Sequence, residues 1–191
     1  MKKIGIFGGT FDPPHIGHLL VAQDVLEKLE LDEIHFLVSY RPPHRKTRAE
    51  FEDRVKMVEL MLKGHPFYVS DFESHLKFAP TYTALVLSEW KKRRKDEEIY
   101  FIMGSDQFVN IGTWYEYESL FDLAKIVVCQ RVKKEIRDDF PYKEKAIILN
   151  TRIIEVSARE IRRRIKEGKS IYLMVHPEVE NFIKEKGLYK K

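Results

Sequence analysis

His15 and His18 close an eleven-residue stretch, GGTFDPPHIGH, that runs from Gly8 and also holds Thr10, Phe11, Asp12, Pro13 and Pro14. Two imidazoles three positions apart on a first helical turn share one face and can address the same anion. Glycines just ahead of them let backbone amides approach a ligand closely, and a helix amino terminus adds unpaired N–H groups and partial positive charge. Donors of this kind in one short stretch suit phosphate. The competing reading is a Gly-rich turn with a proline start signal and two surface histidines. The glycine spacing fits neither the G-x-G-x-x-G dinucleotide fingerprint nor a P-loop, because no Gly-Lys-Ser/Thr follows.

A second group of polar residues lies far along the chain, in VSAREIRRRI at 156–165. Ser157 and Glu160 have the S-x-x-E spacing of a capping box, so a helix is predicted to start there. A helix start that displays Ser157, Arg159 and Arg162 can also hold phosphate, whereas Arg163 and Arg164 are expected to face solvent. No Gly-x-Ser-x-Gly elbow is present, and the seven histidines form no Cys/His ligand set. Neither a side-chain nucleophile nor a protein metal site is therefore predicted. Histidine titrates near neutrality, so a reaction that uses this pair should depend on pH in that range.

The elements that must position these residues follow from periodicity. KIGIF, EIHFLV, PFYVSDF, EIYFIMG, KIVVCQ, AIILN and IIEVS read as strands, most of them too uniformly apolar to have one wet face. GHLLVAQDVLEKL, EFEDRVKMVELMLK and TYTALVLSEWKKRRK read as helices, with Phe51, Val55, Val58 and Leu62 on one stripe. This alternation predicts an α/β chain: a Rossmann-like, doubly wound, mostly parallel sheet with helices on both faces. The opening motif then falls at a strand's carboxyl end, where such sheets bind ligands. Segments 39–49 and 133–145 read as long loops, and HPEVENFIKEKGLY as a helix with Pro177 at its start and Gly187 at its stop.

Composition sets the limits. A chain of 191 residues with no linker or internal repeat fits one domain spanning 1–191. Lys and Arg outnumber Asp and Glu by 34 to 30, a net of +4, which suits anionic small molecules but is too slight for a dedicated nucleic-acid binder. The run KKRRK at 91–95 ends a predicted helix, where cations complement the dipole, so no nucleic-acid partner is expected. Cys129, the single cysteine, reads as a buried thiol in a reducing compartment, and neither a signal peptide nor a membrane span is predicted. A cytoplasmic protein is expected. Oligomeric state, a homo-oligomer included, is left open.

GTFDPPHIGH resembles the H-x-G-H signature of a nucleotidyltransferase superfamily almost letter for letter, and VSAREIRRRI resembles that superfamily's I-S-x-x-x-I-R signature. The middle of the chain is similar to the nicotinate-nucleotide adenylyltransferase family. RPPHRK at 41–46, APTYTALVLSEW at 79–90, FIMGSDQF at 101–108, TWYEYESL at 113–120 and the ending EVENFIKEKGLY match that family's segments in order. Phosphopantetheine adenylyltransferase, a shorter sibling without the P-P-H loop or T-W-Y segment, is the alternative within the superfamily. From another class, a nucleotide-binding sensor that has lost turnover is the rival.

The resemblance implies transfer of AMP from ATP to nicotinate mononucleotide, with Mg²⁺ carried by the ATP. It implies that Thr10 and the Gly8 and Gly9 backbone meet the ATP phosphates, that Phe11 belongs to the ATP site, and that His15 and His18 stabilise the reacting phosphoryl group. Ser157 and Arg162 would grip the β and γ phosphates, and Gly104 and Asp106 would border the adenosine or ribose. On the acceptor side, His44 and Arg45 would reach the mononucleotide phosphate, while Thr83 and Trp114 would meet the pyridine, with Trp114 stacking on the ring. The chain departs from the family pattern at Leu85 and Val86, at Arg131-Val132-Lys133 in place of Arg-Pro-Gly, and at Ala158. Arg131 keeps a cation where the turn changes and stays a candidate ligand contact.

Overall fold

The computed structural model describes residues 1–43, 46–130, 136, 140–152 and 154–190. Strands β1 (Lys2–Gly9), β2 (Glu33–Val38), β3 (Tyr68–Ser70), β4 (Glu97–Gly104), β5 (Lys125–Gln130) and β6 (Ala146–Asn150) form one six-stranded sheet in the order 3-2-1-4-5-6. Every pairing is parallel, with Gly9 opposite Val38 on one side of β1 and Phe7 opposite Ile102 on the other. Parallel strands need crossover connections: α1 (Ile16–Lys28), α2 (Phe51–Leu62), α3 (Thr83–Arg93) and the short α4 (Ser105–Phe108) and α5 (Leu120–Leu123) lie between the strands from β1 to β5, while α6 (Ala158–Lys166) and α7 (Pro177–Lys186) follow β6.

The strands are uniformly apolar because both faces of the sheet are covered. On one face Phe7, Phe36, Ile102 and Val127 pack with Val25 of α1, Met57 and Met61 of α2, Ile161 of α6 and Ile183 of α7. On the other, Ile4, Ile6, Phe101 and Val128 pack with Leu87 and Trp90 of α3, Phe108 of α4 and Leu120 of α5. The expected doubly wound sheet is therefore what the chain forms. Trp90 is buried in the second core, and its Nε1–H donates to Glu97 Oε2 at 2.9 Å.

Three expectations are adjusted. The segment IIEVS is no strand: residues 154–157 are irregular, and Ile153 lies outside the described residues. The backbone N–H and Nε of Arg152 instead donate to the buried Asp24 of α1 at 2.5 and 2.7 Å, turning the chain away from the sheet edge towards α6. PFYVSDF contributes only three strand residues before a single 3₁₀ turn, Phe72–His75. On α2 the buried stripe is Arg54, Met57, Val58, Met61 and Leu62, with Phe51 and Val55 at its border. A pattern of apolar residues misplaces this face because it scores Arg54 as polar, whereas the fold buries that arginine completely.

Helix ends follow local rules. Pro177 stands at N1 of α7 behind His176, and Gly187 closes that helix at φ +64°. Lys91, Lys92 and Arg93 complete α3 and are exposed, in keeping with a solvated, dipole-complementing end.

Candidate active site

In the strand order 3-2-1-4-5-6 the winding reverses between β1 and β4, so a crevice opens at their carboxyl ends. Gly8 and Gly9 end β1 and Gly104 ends β4. A Cβ on Gly104 would lie 2.5 Å from Asp106 Oδ1, so only glycine allows the carboxylate to fold back over the strand end.

Two cavities meet in this crevice and share Gly8, Gly9, Thr10, Asp106 and Gln107. The larger, of about 590 Å³, is lined by His15, His18, Lys46, Ser157, Arg159 and Arg162. It carries basic groups from three separate segments, the combination that a polyphosphate requires. The smaller, of about 280 Å³, is lined by Ser39, Pro42, Pro43, Glu73, Thr81, Tyr82, Thr83, Trp114 and Tyr115. Its walls are hydroxyl-bearing and aromatic, and the rings of Tyr82 and Tyr115 stack 4.6 Å apart. That chemistry suits a flat ring with a polar substituent.

The two histidines differ in setting. His15 is the buried N-cap of α1, and its ring stacks on that of His18 with centroids 3.7 Å apart. The His15 backbone N–H donates to His18 Nδ1 at 3.0 Å. An Nδ1 that accepts this bond carries no hydrogen, which leaves Nε2 as the ring nitrogen that can donate. The Gly17 backbone makes room for this pair, since a Cβ there would lie 3.1 Å from His15 Nδ1. The space beside Gly17 thus belongs to the His15 ring.

Phe11 takes φ +46° and turns its ring into the core, edge-on to Phe7 and 5.1 Å from the His18 ring. The strain of a left-handed non-glycine residue, about 1–3 kcal/mol, is held by this packing. Phe11 still borders the larger cavity, as the sequence predicts, but its ring braces His18 from behind.

The loop between β1 and α1 is tied down by groups remote in sequence. Asp12, 4% exposed, accepts the backbone N–H of Arg48 at 2.6 Å and of Ala49 at 3.1 Å, together with the Tyr189 hydroxyl at 2.7 Å. Burial and the Asp12 carboxylate push the Tyr189 hydroxyl far above the usual phenol range. Arg162 Nη1 donates to the Asp12 carbonyl at 2.5 Å, which joins the two signatures directly. Arg54 donates to the carbonyls of Thr10, Ser39 and Ala49 at 2.9, 2.8 and 3.3 Å, so one guanidinium fixes the ends of β1 and β2 and the entry to α2. Burial lowers its pKa from the usual guanidinium value, with Asp12 the main opposing charge.

Ser157 Oγ caps α6 by accepting the Glu160 N–H at 3.2 Å, as its spacing predicts. Arg163 pairs with Glu167 and Arg164 donates to the Ser170 carbonyl, so both turn away from the cavity. Cys129 is buried, as expected, and borders the larger cavity from β5.

Of the predicted site residues, Gly8, Gly9, Thr10, Phe11, His15, His18, Gly104, Asp106, Ser157 and Arg162 line the larger cavity, and Thr83 and Trp114 line the smaller. His44, Arg45 and Arg131 lie outside the described residues. Sequence reasoning omitted Glu73, Thr81, Tyr82, Gln107 and Lys46. Thr81, Tyr82 and Lys46 sit inside the quoted segments APTYT and RPPHRK and were legible there, whereas Glu73 stands in an unremarkable run, DFESH. Among the described residues no three His, Cys, Asp or Glu side chains converge as a metal site, and no helix is long and apolar enough to cross a membrane.

A family model described as cytidylyltransferase-like matches residues 6–164. A Caldicellulosiruptor saccharolyticus protein named "Probable nicotinate-nucleotide adenylyltransferase" is 39% identical over 198 residues, covering 99% of this chain and 100% of that one. The Bacillus subtilis strain 168 protein named "Nicotinate-nucleotide adenylyltransferase" is 34% identical over 193 residues, covering 100% of both. A solved structure titled "Plasmodium falciparum nicotinic acid mononucleotide adenylyltransferase complexed with NaAD" superposes with a TM-score of 0.85 at 23% identity, covering 99% of this chain and 98% of that one; at this identity it attests the fold. With both signatures gathered at one crevice and identity to named relatives sustained along its whole length, the chain belongs to the nicotinate-nucleotide adenylyltransferase family of cytidylyltransferase-like proteins.

Proposed function

We propose that the chain transfers AMP from ATP to nicotinate mononucleotide, releasing pyrophosphate and forming nicotinate adenine dinucleotide. The observation that carries this reading is the pair of cavities, one basic and one aromatic, that meet at Gly8–Thr10 and Asp106. A phosphate oxygen of the mononucleotide attacks the α-phosphorus of ATP; the bond to the bridging oxygen breaks, and that oxygen leaves with pyrophosphate. Such a transfer asks the protein for alignment of two anions and neutralisation of developing charge. His18 donates its Nε2–H to the α-phosphoryl oxygens, with His15 stacked behind it. The Gly8, Gly9 and Thr10 backbone, with Phe11, borders the phosphates, and Ser157 and Arg162 hold the leaving β and γ groups. Gly104 and Asp106 border the adenosine, Thr83 and Trp114 serve the acceptor, and His44, Arg45 and Arg131, outside the described residues, are assigned to the acceptor by the resemblance alone. Asp106, exposed where the cavities join, is a carboxylate that could approach a Mg²⁺ ion carried on the triphosphate, which would neutralise phosphate charge when bound. One nucleotidyltransferase domain spanning 1–191, in the cytoplasm and with no nucleic-acid or membrane partner, completes the proposal.

The deciding experiment is pyrophosphate release with ATP and Mg²⁺, supplying nicotinate mononucleotide, nicotinamide mononucleotide or phosphopantetheine in turn. Preference for the first is expected. Turnover of none would favour the sensor reading, and preference for phosphopantetheine would overturn the acceptor assignment.

A further inference from the structure

Glu73 is 5% exposed and lies in the wall of the smaller cavity, on the 3₁₀ turn Phe72–His75. Its Oε2 accepts twice: from the Tyr40 backbone N–H at 2.9 Å and from the Thr81 hydroxyl at 2.5 Å. Having donated its proton, Thr81 Oγ1 accepts the Arg41 N–H at 3.2 Å, and the Thr81 N–H donates to the Arg41 carbonyl at 3.1 Å. One carboxylate oxygen therefore clamps the segment entering Pro42 and Pro43 to the segment entering Tyr82 and Thr83. Both segments line the same cavity, and apart from this clamp they belong to different crossovers of the fold.

We propose that Glu73 is a positioning residue for the acceptor, holding the 40–43 and 81–83 walls at the separation that admits the mononucleotide. The inference rests on the acceptor reading given above. Because both hydrogen bonds fall on Oε2, the carboxyl can take a proton on Oε1 without losing either, so the clamp persists while its charge changes. Burial pushes the Glu73 carboxyl up to about 7, and Arg54 of α2 is the charged group whose field opposes that rise. An ionised Glu73 places negative charge in the wall that faces an anionic acceptor, so acceptor binding weakens as the pH rises through neutrality.

The test is steady-state pyrophosphate release, with ATP and nicotinate mononucleotide varied separately, for the wild type, Glu73→Ala, Glu73→Gln and Thr81→Val. Loss of a buried clamp of this kind should raise the acceptor KM about tenfold in Glu73→Ala and several-fold in Thr81→Val, leaving the KM for ATP within about twofold. Glu73→Gln, whose side-chain oxygen can accept the same two bonds, should hold the acceptor KM near the wild-type value at pH 6. It should also lack the rise in that KM that the wild type shows between pH 6 and 8. Equal increases in both KM values, or a wild-type pH profile retained in Glu73→Gln, would overturn the proposal. Should Glu73→Ala not fold, Thr81→Val and Glu73→Gln still decide it. A wild type that turns over no acceptor defeats the functional reading itself and this inference with it, an outcome distinct from an active wild type with unaltered variants.

Discussion

Among single residues, His18 and Trp114 have the sharpest expected effects. His18 offers Nε2–H because its Nδ1 is engaged by the His15 backbone. Its contact with the phosphoryl group strengthens as charge develops, so His18→Ala should lower kcat about 10²- to 10³-fold with little change in either KM. An unchanged kcat in rapid-quench or steady-state assays would remove His18 from the chemistry. Trp114 is half-buried in the wall of the smaller cavity. Ring stacking of this type is worth about 1–3 kcal/mol, so Trp114→Ala should raise the acceptor KM about tenfold and leave the ATP KM alone. A mononucleotide KM equal to that of the wild type would return Trp114 to loop packing. The types and spacing of these residues were legible in the sequence; the stacking of His15 on His18 was not, because it depends on the backbone angle at the N-cap.

Elements meet the site through a few buried polar side chains. Arg54 projects from α2 into the junction of β1, β2 and the helix entry, where three carbonyls depend on it. Arg54→Met keeps the length of the side chain and removes every donor, leaving those carbonyls buried and unpaired. The expected loss is about 3 kcal/mol or more, read as a lower urea midpoint at unchanged slope. A midpoint within error of the wild type would show that water replaces the guanidinium. The strands and long helices were legible from period alone, since parallel strands covered on both faces must be apolar throughout. The buried face of α2 was not, because the residue that begins it, Arg54, is charged and only the carbonyls around it explain its burial. The seventh apolar run, IIEVS, failed as a strand for a comparable reason: Asp24 captures Arg152 just ahead of it and redirects the chain.

At the scale of the whole molecule, the two ends of the chain close on each other at the site. Tyr189 crosses from the last turn to Asp12, which lies 177 positions earlier, and Asp12 in turn orders the backbone at Arg48 and Ala49. Tyr189→Phe keeps the packing and deletes one hydrogen bond to a buried carboxylate, so unfolding free energy should fall by about 1–2 kcal/mol. Denaturant titration checks this, and a variant as stable as the wild type would show that Asp12 is satisfied without the hydroxyl. Arg162 joins the same carbonyl-bearing loop from the far signature. The motifs at 8–18 and 156–165 thus act as one unit although some 140 residues separate them.

By itself the sequence determined the α/β alternation, the location of the phosphate-binding stretch at a strand end, the cap at Ser157 and the family. Each of these is local: it depends on period, on the preferences of glycine, proline and serine, or on residues contiguous in the chain. The tertiary structure alone decided that Phe11 supports His18 from the core, that Gly17 serves the His15 ring, and that Arg54, Asp12, Tyr189 and Glu73 hold the walls. Those four are polar side chains that would be expected in water. They are buried because carbonyls, amides and hydroxyls from distant segments converge on them, and convergence is a property of the fold that no spacing in the sequence records.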